Sequence, residues 1–113
     1  MTETMDAGDR LLRTETLLWE GVTILVSYEP DWMGLAAKGI GWPYSHLEIQ
    51  VVEPKGAPLP LTDTGYLSQF LEVGEAEDAG GPAALVRAQL EEFSYTKSWR
   101  VRQARWEQRD LFD

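Results

Sequence analysis

The sequence predicts an α+β domain: a small antiparallel sheet of three or four strands, followed by two C-terminal helices packed on one face. Three observations predict it. Apolar residues alternate with period two in short runs up to about residue 73. After Pro82 the period changes to that of a helix. The order, strands first and helices last, is that of a sheet covered on one side.

Each element has its own signal. Residues 1–13 are largely polar and acidic, contain Gly8, and read as a flexible leader, so a single domain is expected over residues 14–110. "TETLLWE" and "VTILVSYEP" flank Gly21, with Glu20-Gly21 as a tight turn between two strands. Val22, Ile24, Val26 and Tyr28 share one face of the second run, and Pro30 ends it. Residues 30–45 hold two Trp and a Tyr among glycines, a loop or short helix that packs down. "HLEIQVVEP" is the next strand, with Leu47, Ile49 and Val51 on one side and His46, Glu48 and Gln50 on the other. Pro58 and Pro60 mark a loop. "YLSQFLEV" reads as a fourth strand with Tyr66, Ser68 and Phe70 on one face, or as one short helix. "GEAEDAGG" reads as a surface linker. Pro82 opens an amphipathic helix through Val86, Leu90 and Phe93. A second helix from about Ser98 to Asp110 sets Trp99, Gln103 and Trp106 on one face and Arg102, Arg105 and Arg109 on another.

Composition bounds the function. A chain of 113 residues suits one domain. Five Trp, four Tyr and three Phe are too many for a disordered segment. No run of eighteen apolar residues signals a membrane span. The polar N-terminus lacks the features of a signal peptide, so a cytoplasmic location is expected. Without Cys there is no thiolate chemistry, and one His makes no multi-histidine metal site. No metal, cofactor or catalytic residue is assigned.

The net charge is −9. Residues 1–96 carry −11, with sixteen acids and five bases, while residues 97–113 carry +2, with five bases and three acids. Phosphates repel such a body, so direct nucleic-acid binding is not expected. The Trp and Arg faces of the last helix would otherwise suit it, and are read instead as a buried and a solvated face. The acidic body also suits an acidic DNA mimic, an inhibitor of a nucleic-acid-binding protein.

Asp63-Thr64-Gly65 has the spelling of an aspartic-protease triplet, but Thr62 and Tyr66 stand where that family has apolar and small residues. The simpler reading is a turn, with Gly65 at positive φ. His46 and Glu48 project from one strand face and could form an acid–base pair. With Asp63, Tyr66 and Ser68 they make a possible surface site, and His46, Glu48 and Asp63 are the only basis for a small hydrolase.

Two resemblances complete the reading. Gln108-Arg109-Asp110-Leu111-Phe112 resembles the pentapeptide by which bacterial replication and repair proteins dock on the DNA polymerase sliding clamp. It covers five residues, and Arg109 departs from the family pattern at its more tolerant position. The resemblance implies a protein partner, with Leu111 and Phe112 as apolar anchors, Gln108 as a polar latch and Asp110 as a spacer in a tail over residues 108–113. The bland alternative folds Leu111 and Phe112 back as the last contact of the helix. The segment Leu59-Pro60-Leu61-Thr62-Asp63-Thr64-Gly65-Tyr66-Leu67-Ser68-Gln69-Phe70 is similar to a stretch in small uncharacterised bacterial proteins of alphaproteobacterial type. That likeness implies an intact fold and supplies no function. The expectation is a non-enzymatic binding protein, an accessory factor of replication or repair, with the DNA mimic as the alternative and the hydrolase third.

Overall fold

The computed structural model describes residues 2–5, 11–39 and 44–109. Five antiparallel strands lie in sequence order: β1 (Thr2–Met5), β2 (Leu11–Trp19), β3 (Val22–Glu29), β4 (Tyr44–Glu53) and β5 (Tyr66–Glu72). A 3-10 turn (Trp32–Gly34) follows β3. Among the described residues, three helices follow the sheet: α1 (Glu75–Asp78), α2 (Pro82–Phe93) and α3 (Lys97–Gln108). The α+β class and the strands-then-helices order are those expected from the sequence.

Alternation decides the two faces of the sheet. Ile24, Val26 and Tyr28 of β3 point inward with Leu47, Ile49 and Val51 of β4. Leu17 and Trp19 of β2 and Leu71 of β5 extend that layer. Val86 and Leu90 of α2 and Trp99 of α3 pack on it, joined by Ala57 and Leu59 from the loop after β4. Burying an aliphatic side chain as completely as Leu90 contributes about 1.5–3 kcal/mol, so this one layer carries the domain.

The connections are as specific as the core. Glu20 and Gly21 both take positive φ, 46° and 82°, between the paired residues Trp19 and Val22. That geometry matches the right-handed twist of the flanking strands. Pro82 starts α2, where a missing N–H costs nothing, and the Glu15 carboxylate of β2 accepts from the Ala83 N–H at 3.1 Å. The Thr96 hydroxyl caps α3 by accepting from the Trp99 N–H at 3.2 Å.

The structure differs from expectation in four places. The sheet has five strands, because Thr2–Met5 pairs with the start of β2, and Leu11, Leu12 and Arg13, read as leader, lie in β2. The acidic "linker" contains the single turn of α1, whose Ala76 is fully buried. Phe93 leaves the apolar face of α2 and is 45% exposed, because Val86 and Leu90 already fill the sheet contact. The helix expected to reach Asp110 ends at Gln108; Asp110, Leu111 and Phe112 lie outside the described residues.

Candidate functional site

The helices cover one face of the sheet and leave the other open. Strand register sets its side chains in rows. Glu29, His46 and Phe70 are neighbours across β3, β4 and β5. The next row is Ser27, Glu48 and Ser68, and the next Leu25, Gln50 and Tyr66. Four of the five residues singled out as a surface site, His46, Glu48, Tyr66 and Ser68, therefore share this face.

An aromatic group stands at its upper edge. The Phe70 ring is 5.0 Å from Trp32, edge-on at 88°, 4.9 Å from His46 and 6.4 Å from Tyr44. Edge-to-face contacts at such distances are attractive beyond area burial. Phe70 remains 52% exposed and Tyr66 44%. Carboxylates fix the loop that delivers Trp32. The Glu29 side chain, fully buried, accepts from the Met33 N–H at 2.7 Å, and the two Asp31 oxygens accept from the N–H groups of Ala36 and Ala37. Met33 itself sits at φ 59°, an uncommon conformation that the Glu29 contact holds. The sequence placed Trp32 and Tyr44 only in a loop that packs down, without assigning them to a site, and did not single out Glu29. The available signal was Phe70, which alternates with Ser68 and Tyr66 on a strand facing His46.

His46 and Glu48 stand side by side, with the His46 Nδ1 3.9 Å from the Glu48 Oε1, longer than a hydrogen bond. A small hollow beside them is lined by Leu12, Ser27 and Glu29. Asp63 is not part of it. Asp63 pairs with Arg102 of α3 and lines a separate shallow hollow with Lys97 and Arg105.

The Asp-Thr-Gly segment is built as a turn. Thr62 donates its hydroxyl to the Tyr66 carbonyl at 2.8 Å, and the Gly65 carbonyl accepts from Val51 N at 2.7 Å. Gly65 has φ 81°, and a Cβ there would meet the Ala57 oxygen at 3.0 Å and the Val51 side chain at 3.2 Å. Only glycine fits both constraints. Among the described residues, no three His, Asp or Glu side chains gather as a metal site requires.

On the covered face, Tyr28 donates to the Glu77 Oε2 at 2.9 Å and so ties β3 to α1. Burial pushes the Tyr28 phenol above its ordinary range. The Ser45 hydrogen bond opposes that shift, and Glu77 adds to it.

The family model of the KlcB third domain matches residues 13–99. The chain belongs to the KlcB third-domain family. The matched stretch runs from Arg13 of β2 to Trp99 of α3 and contains the loop that delivers Trp32 together with His46, Glu48, Asp63, Tyr66, Ser68 and Phe70. No curated protein and no solved structure matches the chain. Among the described residues, no helix of this KlcB-type domain is long and apolar enough to cross a membrane.

Proposed function

We propose that this chain is a non-catalytic protein-binding domain that receives its partner on the open face of its sheet. The observation that carries the reading is an aromatic group in which Phe70 and Tyr44 are exposed and Trp32 and His46 half-buried, on a face whose described strand positions bear the carboxylates Glu48 and Glu72, with Glu29 buried beneath the loop, and neither lysine nor arginine. Exposed aromatics clustered in this way mark interaction surfaces. The acidic surround favours a partner with an apolar centre and a basic rim, and repels a phosphate backbone. An acidic DNA mimic needs a continuous carboxylate array; here Gln50, Ser68 and the aromatics interrupt it.

Photo-crosslinking tests the reading. A photoreactive residue at Tyr66 is expected to capture one protein with a basic surface, and one at Tyr95, 83% exposed in the α2–α3 turn, is not. Equal capture from both positions would count against the open face.

A second reading rests on the tail. Gln108, the first residue of the clamp-type pentapeptide, is exposed at the end of α3. Arg109 stacks on Trp106, its guanidinium carbon 3.5 Å from the ring centroid. If Arg109 leaves the end of α3 when the peptide extends, that stack opens. The stack contributes about 0.5–1 kcal/mol, small beside the roughly 8 kcal/mol of a micromolar ligand. Titration against a bacterial sliding clamp, with Leu111→Ala/Phe112→Ala as control, decides it. Binding lost in the double variant supports the tether, and absence of binding removes it.

A further inference from the structure

A cleft of about 220 Å³ opens on the helix-covered side, between α3, the Glu20-Gly21 turn and the loop after β4. We propose that it binds an alkylated ammonium group. This site is separate from the open face and does not rest on the partner proposed for it.

Three indoles make its walls. Trp19 and Trp99 are almost wholly buried, with ring centroids 6.0 Å apart and planes 53° apart, so they form a corner. Trp106, half-buried, adds a third side. Indole faces are the best aromatic acceptors for a cation within about 6 Å of the ring. Trp106 already acts as one toward Arg109.

Charge and backbone point the same way. Glu20 and Glu107, both exposed, line the cleft, and none of its lining residues is a lysine or arginine. Glu20 holds φ 46°, at a turn position where Asn, Asp or Gly is the usual choice. The turn that fixes this conformation places the Glu20 carboxylate in the cleft lining. The volume lies below the roughly 300–1,000 Å³ of drug-sized ligand sites, which suits a head group alone. Walls of indole and Pro58 favour a weakly hydrated alkylated ammonium over a primary one, whose water is strongly held.

The test uses the full chain and the indole N–H signals in NMR. The probes are choline and its neutral isostere 3,3-dimethylbutan-1-ol. Choline is expected to shift the Trp19, Trp99 and Trp106 signals saturably and to leave Trp32 in place. The alcohol is expected to bind about tenfold more weakly, the loss of one cation–π contact. Glu107→Gln is expected to weaken choline about threefold while leaving the thermal midpoint unchanged. A peptide carrying trimethyl-lysine separates the sources. Binding tighter than choline assigns the head group to a partner's side chain, and binding no tighter assigns it to a free amine. Equal affinity for choline and the alcohol, or no shift of the three indoles at roughly tens of millimolar choline, would overturn the proposal.

Discussion

The guanidinium of Arg102 lies against the carboxylate of Asp63 and also donates to the Leu59 and Pro60 carbonyls. One side chain thus ties α3 to the loop whose Ala57 and Leu59 enter the core. The two partners are unequal. Asp63 is 74% exposed, so solvent screens its share, and Asp63→Asn is expected to cost no more than about 0.5 kcal/mol. Arg102→Met removes charge-assisted bonds to backbone carbonyls and is expected to cost about 1.5–3 kcal/mol. Urea midpoints of the two variants measure the order. Equal costs would show that the ion pair, rather than the carbonyl contacts, holds the loop.

Gly65 and Gly56 have nearly the same positive φ, 81° and 77°, but different surroundings. A Cβ at Gly56 would meet nothing within 4 Å, whereas one at Gly65 strikes the Ala57 oxygen and Val51. Gly56→Ala is expected to cost about 1 kcal/mol from backbone strain alone. Gly65→Ala is expected to cost roughly 2 kcal/mol or more, because the crowded neighbours are backbone and core. Thermal midpoints distinguish the two.

Tyr28 makes stability depend on alkaline pH. Its folded pKa is raised, chiefly by burial, so above the ordinary tyrosine pKa of about 10 the folded state holds a proton that the unfolded state has lost. Stability is then fully present below about pH 10 and falls as pH rises from there through the folded pKa. Tyr28→Phe removes this titration. Its unfolding free energy is expected to fall less steeply above about pH 10 than that of the wild type, even though it starts lower for want of the Glu77 hydrogen bond. Parallel pH profiles would show that Tyr28 does not titrate differently on folding.

Much of the sheet was legible because alternation is a local signal. Val26 beside Ser27 and Ile49 beside Glu48 announce their faces without any knowledge of neighbours. The same logic set His46, Glu48, Tyr66 and Ser68 on polar faces, and antiparallel pairing of β4 with β5 makes those faces one. What the sequence hid is assembled at long range. Asp63 is drawn to α3 by Arg102, thirty-nine positions away, and no local pattern reports that. The tryptophan cleft joins the β2–β3 turn, the loop after β4 and α3, three segments that only the fold brings together. β1 was missed because two Thr, one Glu and one Met carry no apolar rhythm, and α1 because one turn is too short to show a helical period.

Phe70 decides the reading of the open face. It is half exposed but packs on Trp32, His46 and Tyr44, so Phe70→Ser is expected to cost about 1–2 kcal/mol of stability. A circular dichroism spectrum checks that the variant is folded before its binding is measured. At the centre of an interface, such an aromatic contributes about 2 kcal/mol or more to affinity. The measurement is the dissociation constant of the protein captured from Tyr66, with wild type and Phe70→Ser, at low and high salt. The expected result is a loss of at least about tenfold in the variant, with wild-type binding that weakens as salt screens the acidic face. An affinity that is the same for both chains would mean that the partner sits elsewhere, and the open face would lose its assigned role.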